Sequence, residues 1–152
     1  MSGLDMPQFV PDDPNAGSGK PARGGRGGRR KAEPWFGRLG QLDFDIDFFE
    51  RLLARRGDAI EVLKILAELV SKKGDVKRAV ELDGRLVLLQ PEDFLARYNL
   101  ACSLARAGRA DDAIDALSRA ILLGYDDLAH MESDPDLESL YEHPDFQALL
   151  GD

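Results

Sequence analysis

A single cysteine, Cys102, denies this 152-residue chain an internal disulfide or a cysteine-rich zinc site. Imidazole is nearly as scarce, with His130 and His143 alone, and neither His-x-x-x-His nor Cys-x-x-Cys occurs. No apolar run approaches the roughly 18 residues of a membrane span. The opening Met-Ser-Gly-Leu-Asp-Met-Pro lacks the basic start and apolar stretch of a secretory signal. These absences lead to the expectation of a cytoplasmic protein that neither enters a membrane nor carries a cofactor or metal.

Charge is present but unevenly placed. Residues 1–40 hold seven Lys/Arg against four Asp/Glu, and residues 41–152 hold thirteen against twenty-four, giving a tail of net +3 and a body of net −11. So acidic a body repels nucleic acid and anionic membrane. Residues 1–34 carry five prolines and seven glycines, with Leu4, Met6, Phe9 and Val10 as the large aliphatic or aromatic residues. Such a stretch cannot offset its ordering entropy, which predicts a disordered arm over 1–40.

From Asp43 the texture changes. Five stripes recur at helical spacing: Phe44, Phe48, Phe49, Leu52, Leu53; then Leu63, Leu66, Ala67, Val70; then Val76, Ala79, Val80, Leu86, Val87; then Phe94, Tyr98, Ala101, Leu104, Ala105; then Ala113, Ile114, Leu117, Ala120, Ile121. Glycine or proline follows each, at Gly57, Gly74, Pro91, Gly108 and Gly124. No window alternates as a strand would, so the fold class is all-α. Gly74 to Gly108, Ala79 to Ala113 and Gly57 to Pro91 each span 34 residues. Two helices per 34 residues mark a helix-turn-helix solenoid.

On these residues the body resembles the tetratricopeptide repeat (TPR) family. Leu63, Leu66-Ala67, Val70, Gly74-Asp75, Ala79 and Pro91 match one repeat, and Leu100-Ala101, Leu104, Gly108, Ala113, Leu117 and Ala120 match the next. Asp83 departs from the pattern where a large apolar residue is usual, and Tyr125 where the stop proline is usual. The resemblance implies a short right-handed α-α superhelix, a TPR-like solenoid. Its expected parts are a half repeat (41–58), a repeat (60–93), a second repeat (94–127) and a helical cap (128–152). The cap is similar to the segment closing groups of such repeats in bacterial proteins. Within it, Pro135 and Pro144 suit the first positions of short helices.

Candidate chemistry is sparse. His143 reads as a helix-start residue, His130 as a surface or packing residue, and Cys102 lacks an adjacent base. Asp43-Asp45-Asp47, Asp111-Asp112 and Asp134-Asp136 lack calcium-loop spacing and read as helix starts, where the dipole favours negative charge. Asp83 interrupts an apolar stripe and needs either a polar partner, with Arg97, Tyr98 or Lys64 as candidates, or a ligand.

The resemblance implies a function too: a non-enzymatic module receiving a peptide or helix of a protein partner in a groove lined by the first helix of each repeat. Helical spacing places Glu61, Lys64, Ile65 and Glu68 there, followed by Leu95, Tyr98, Asn99, Cys102 and Arg106. Glu61 and Glu68 argue against a clamp for a terminal carboxylate. A monomer or weak dimer is expected, because solenoid ends can stack. The alternative lies in the arm, where Lys20, Arg23, Arg26, Arg29, Arg30 and Lys31 have no acid among them and suit RNA or DNA phosphate, or form only a solvated linker.

Overall fold

A computed structural model of the chain describes the backbone of residues 34–151 and the side chains of residues 40–151. The nucleic-acid expectation for Lys20, Arg23, Arg26, Arg29, Arg30 and Lys31 lies outside the described residues, as does most of the expected arm. The described residues form helices without strands: α1 (Pro34–Arg55), α2 (Ile60–Lys73), α3 (Val76–Leu89), α4 (Phe94–Arg106), α5 (Ala110–Leu122), α6 (Leu128–Ser133), a 3-10 helix (Pro135–Leu140) and α7 (Pro144–Leu149).

The chain divides at Asp45 into two compact units, and α1 contributes to both. In the first, α1 is already helical from Pro34, well before Asp43. The acidic trio Asp43-Asp45-Asp47 therefore lies inside a helix and does not start one. Its charges are spent along the helix surface: Gln41 donates to Asp45 at 2.8 Å, and Arg51 pairs with Asp47 at 3.0 Å.

In the unit from Ile46 onward, α2 packs on α3, α3 on α4 and α4 on α5. The apolar interior follows this order as two successive clusters. One joins Leu53, Leu63, Leu66, Ala67, Val70, Ala79, Leu82 and Leu86. The other joins α4, α5 and the C-terminal segment, from Tyr98 and Ala101 through Leu117 to Phe146. Consecutive pairs thus cover one another in layers instead of surrounding one centre. Ala67, Ala79, Ala101 and Ala113 are buried where helix axes must approach closely. The stripe expected for α1 is only partly inward, because Leu53 is buried whereas Phe44 and Phe48 are exposed.

Local chemistry explains the boundaries. Gly74 and Gly108 adopt φ of 90° and 79°, the left-handed region that reverses the chain after α2 and α4 without a Cβ penalty. Asp75 and Asp93 cap α3 and α4 by accepting backbone N–H groups. Asp111 and Asp112 fall in the first turn of α5, as their sequence position predicts. Between layers, the Arg78 guanidinium on α3 grips Glu50 of α1 through two hydrogen bonds of 2.6 and 2.9 Å, and Arg85 donates to the Gly57 carbonyl at 2.6 Å.

Asp83 finds its partner on α4, and none of the residues expected from sequence supplies it. The Ser103 hydroxyl donates to Asp83 at 2.6 Å, both groups being buried. Burial pushes the Asp83 carboxyl above its ordinary range, and the Ser103 hydrogen bond opposes that rise.

Candidate functional site

α2 and α4, expected to be the first helices of two repeats, carry the residues expected to line a groove. On α2, Glu61, Lys64, Ile65 and Glu68 are exposed, with Ile65 at 41%. On α4, Leu95 (55% exposed) and Asn99 share that accessibility. Arg106 is exposed but engaged, donating to the Ser71 hydroxyl at 2.5 Å and the Ser71 carbonyl at 3.3 Å. It ties the end of α4 to the last turn of α2, where it shares the Ser71 carbonyl with the Gly74 N–H.

Tyr98 and Cys102 do not line an open groove. They are 5% and 8% exposed, because the segment after α5 folds back on α4 and the 3-10 helix packs along it. The contact is polar as well as apolar. The Tyr98 hydroxyl donates to Asp134 Oδ2 at 2.6 Å, Cys102 Sγ lies 3.8 Å from the same oxygen, and the Ser139 hydroxyl donates to the Ala105 carbonyl at 3.3 Å. Leu137, Leu140 and Phe146 add apolar surface to the cluster beneath.

Asp134 is the hub of this closure. Its Oδ1 accepts the Asp136 backbone N–H at 3.0 Å, which caps the 3-10 helix, and the Tyr141 hydroxyl donates to its carbonyl at 2.7 Å. His130 Nε2, one turn earlier, stands 3.3 Å from Oδ2. Pro135 and Pro144 occupy the first turns of their helices, and His143 caps α7 by accepting the Asp145 N–H at 3.2 Å.

Tyr125, where the resemblance leads one to expect a proline, makes aromatic contacts instead. Its ring stacks on Tyr98 with centroids 4.6 Å apart and planes inclined by 12°, and meets Phe94 edge-on at 6.0 Å. A proline could not supply that surface. Sequence reasoning passed over Asp134, Ser139 and Tyr125 as functional residues. The available signal was the loss of the period at Tyr125, which marks where repeat packing gives way to a different partner.

Burial, followed by the Asp134 charge, pushes the Cys102 thiol well above its ordinary range, so it is protonated at neutral pH. Burial likewise raises the Tyr98 phenol, with the Asp134 hydrogen bond adding to the rise. Neither group is prepared to act as a nucleophile. Among the described residues, Cys102, Asp134 and Asp136 place possible ligand atoms within 4.8 Å of one another. No helix among them is long and apolar enough to cross a membrane.

Comparison with known proteins agrees with this architecture. No family model matches the chain. A chloroplastic protein of Arabidopsis thaliana is 35% identical over 83 residues, which is 53% of this chain but 25% of the relative, so the chain spans about a quarter of that protein. The solved structure of MamA MSR-1 C2 superposes with a TM-score of 0.58 at 24% identity, covering 74% of this chain and 69% of that one. The fold is an all-α, TPR-like solenoid of stacked helix pairs.

Proposed function

We propose that the chain is a non-enzymatic protein-interaction module that receives a peptide or helix of a partner protein along α2 and the open part of α4. The observation that carries this reading is the exposure of Ile65 and Leu95 on the first helices of consecutive repeats. Glu61, Lys64, Glu68 and Asn99 are exposed around them. Apolar contacts framed by charge and amide groups suit a partner that buries a few anchors and fixes its register by polar contacts.

The reading is narrower than the sequence alone suggested. Tyr98 and Cys102 already serve the C-terminal segment, and Arg106 serves Ser71, so the accessible surface is Glu61, Lys64, Ile65, Glu68, Leu95 and Asn99. A protonated, buried thiol and the absence of an exposed nucleophile-base pair among these residues support a binding role over catalysis. The same reading takes the segment after α5 as a cap that seals the second repeat, and the protein as a monomer or weak dimer.

Affinity capture with the wild-type chain and an Ile65→Glu/Leu95→Glu variant tests it. Both positions are exposed, so the variant keeps its thermal transition while specific polypeptides retained by the wild type disappear. Retention of the same polypeptides by a folded variant would remove this surface from consideration.

A further inference from the structure

Among the described residues, Phe44 and Phe48 are the exposed aromatic rings, at 65% and 49%. They lie one turn apart on α1, which runs unbroken from Pro34 to Arg55. At about 3.6 residues per turn, Phe44, Phe48, Arg51 and Arg55 share one stripe, and all four are exposed. The opposite side of the helix is committed inward, since Leu53 is buried and Ile46 and Phe49 pack against the same cluster. Phe49 also meets Phe48 edge-on, with ring centroids 5.2 Å apart and planes at 88°. A solenoid needs a polar outer face on its terminal element to stay dispersed. α1, the first of the described helices, instead presents two phenyl rings.

The order of charge along α1 says what covers them. Asp43, Asp45 and Asp47 accompany the two rings, whereas Arg51 and Arg55 follow. Glu50, the one acid of α1 beyond Phe48, is taken by Arg78. We propose that a second copy of this chain covers the stripe, with the two α1 helices antiparallel about a two-fold axis near residues 49 and 50. In that arrangement Phe48 of each copy faces Arg51 of the other, and Phe44 faces Arg55, so each ring receives a guanidinium. The acidic part of each helix then lies along the basic part of the other. A parallel pair would set ring on ring and arginine on arginine, placing like charges together. The Asp47–Arg51 pair of 3.0 Å leaves both side chains largely exposed, at 60% and 79%, so the guanidinium stays accessible.

Residues 1–33 are the rival cover. Their large aliphatic or aromatic side chains are Leu4, Met6, Phe9 and Val10, and their cations from Lys20 to Lys31 would meet Arg51 and Arg55 with like charge. Trp35 and Phe36 belong to α1 itself and cannot fold back on it. The paired stripes form an isologous contact. One helix face offers less than the roughly 1,600 Å² of a standard interface, so association depends on concentration. The stripe shares no residue with the surface on α2 and α4, and this inference stands or falls apart from that reading.

Sedimentation of the untagged full-length chain over about 1–200 μM tests it. The expected mass rises with concentration from 16.8 kDa toward twice that value. Phe48→Glu, at an exposed position, keeps the thermal transition and holds the chain at the single mass. Arg55→Glu, also exposed, weakens association by about tenfold or more. A single-chain mass over the whole range would overturn the proposal, as would a dimer that either variant leaves at full strength. Gln41→Cys reports the direction, because antiparallel helices hold the two positions about 25 Å apart and no interchain disulfide forms. Rapid disulfide linkage at that position would sink the antiparallel pairing.

Discussion

The Tyr98 hydroxyl and the Asp134 carboxylate meet at 2.6 Å across 36 residues of chain, both buried. That bond joins α4 to the segment after α5, and it adds a second donor to a buried carboxylate that already accepts the Asp136 N–H. Tyr98→Phe keeps the ring stacked on Tyr125 and removes only the donor. Hydrogen bonds to charged groups are worth about 1.5–3 kcal/mol, so urea denaturation is expected to show a loss in that range. A loss below about 0.5 kcal/mol would mean that other donors to Asp134 suffice.

Removal of residues 134–152 uncovers Tyr98, Cys102 and Ala105 and takes Leu137, Leu140 and Phe146 out of the second core cluster. A chain so shortened is expected to melt without a cooperative transition, followed by circular dichroism against temperature. An unchanged transition would show that α4 and α5 do not need this cover.

Cys102 reports on the same contact from inside. With its thiol protonated and 8% exposed, modification by a disulfide reagent at neutral pH is expected to run about tenfold or more slower than in the denatured chain. Asp134→Ala should speed it, because the lost carboxylate loosens the cover and no longer opposes the thiolate. Equal rates in folded and denatured protein would contradict the burial described.

Asp83 makes the first repeat sensitive to pH. Burial raises its folded value above the ordinary 3.8, so the folded chain holds this proton more tightly than the unfolded chain. The corresponding stability is fully present below pH 3.8 and is lost as pH rises through the raised folded value. Asp83→Asn retains an acceptor for Ser103 and does not ionise. Its stability is therefore expected to fall less than that of the wild type as pH is raised from 3.8, measured by denaturation at a series of pH values. Parallel curves would show that folding leaves the Asp83 carboxyl at its ordinary value.

The helices were legible because small residues recur every 34 positions, and Ala67, Ala79, Ala101 and Ala113 can be buried only if neighbouring axes approach closely. The start of α1 was not legible. Pro34 looked like the end of a proline-rich stretch, whereas proline is tolerated in the first turn of a helix. The groove was legible only in part. Helical spacing put Tyr98 and Cys102 on one face with Leu95 and Asn99, which is correct for α4 in isolation. What it could not show is that residues more than thirty positions later return to cover part of that face. Asp83 shows the same limit, since its apolar neighbours announced burial but not that Ser103, on the following helix, would satisfy it.

The return of the C-terminal segment also sets an order of events during synthesis. Leu63, Leu66, Val70, Ala79 and Leu82 can consolidate as soon as α3 has emerged, because their contacts lie close together in the chain. Tyr98, Cys102 and Ala105 await residues 134–139, some thirty or more positions further along the chain. The nascent chain therefore carries a finished α2–α3 pair and an unfinished α4–α5 pair until that segment has emerged. In that interval the aromatic and thiol side chains of α4 are open to chaperones.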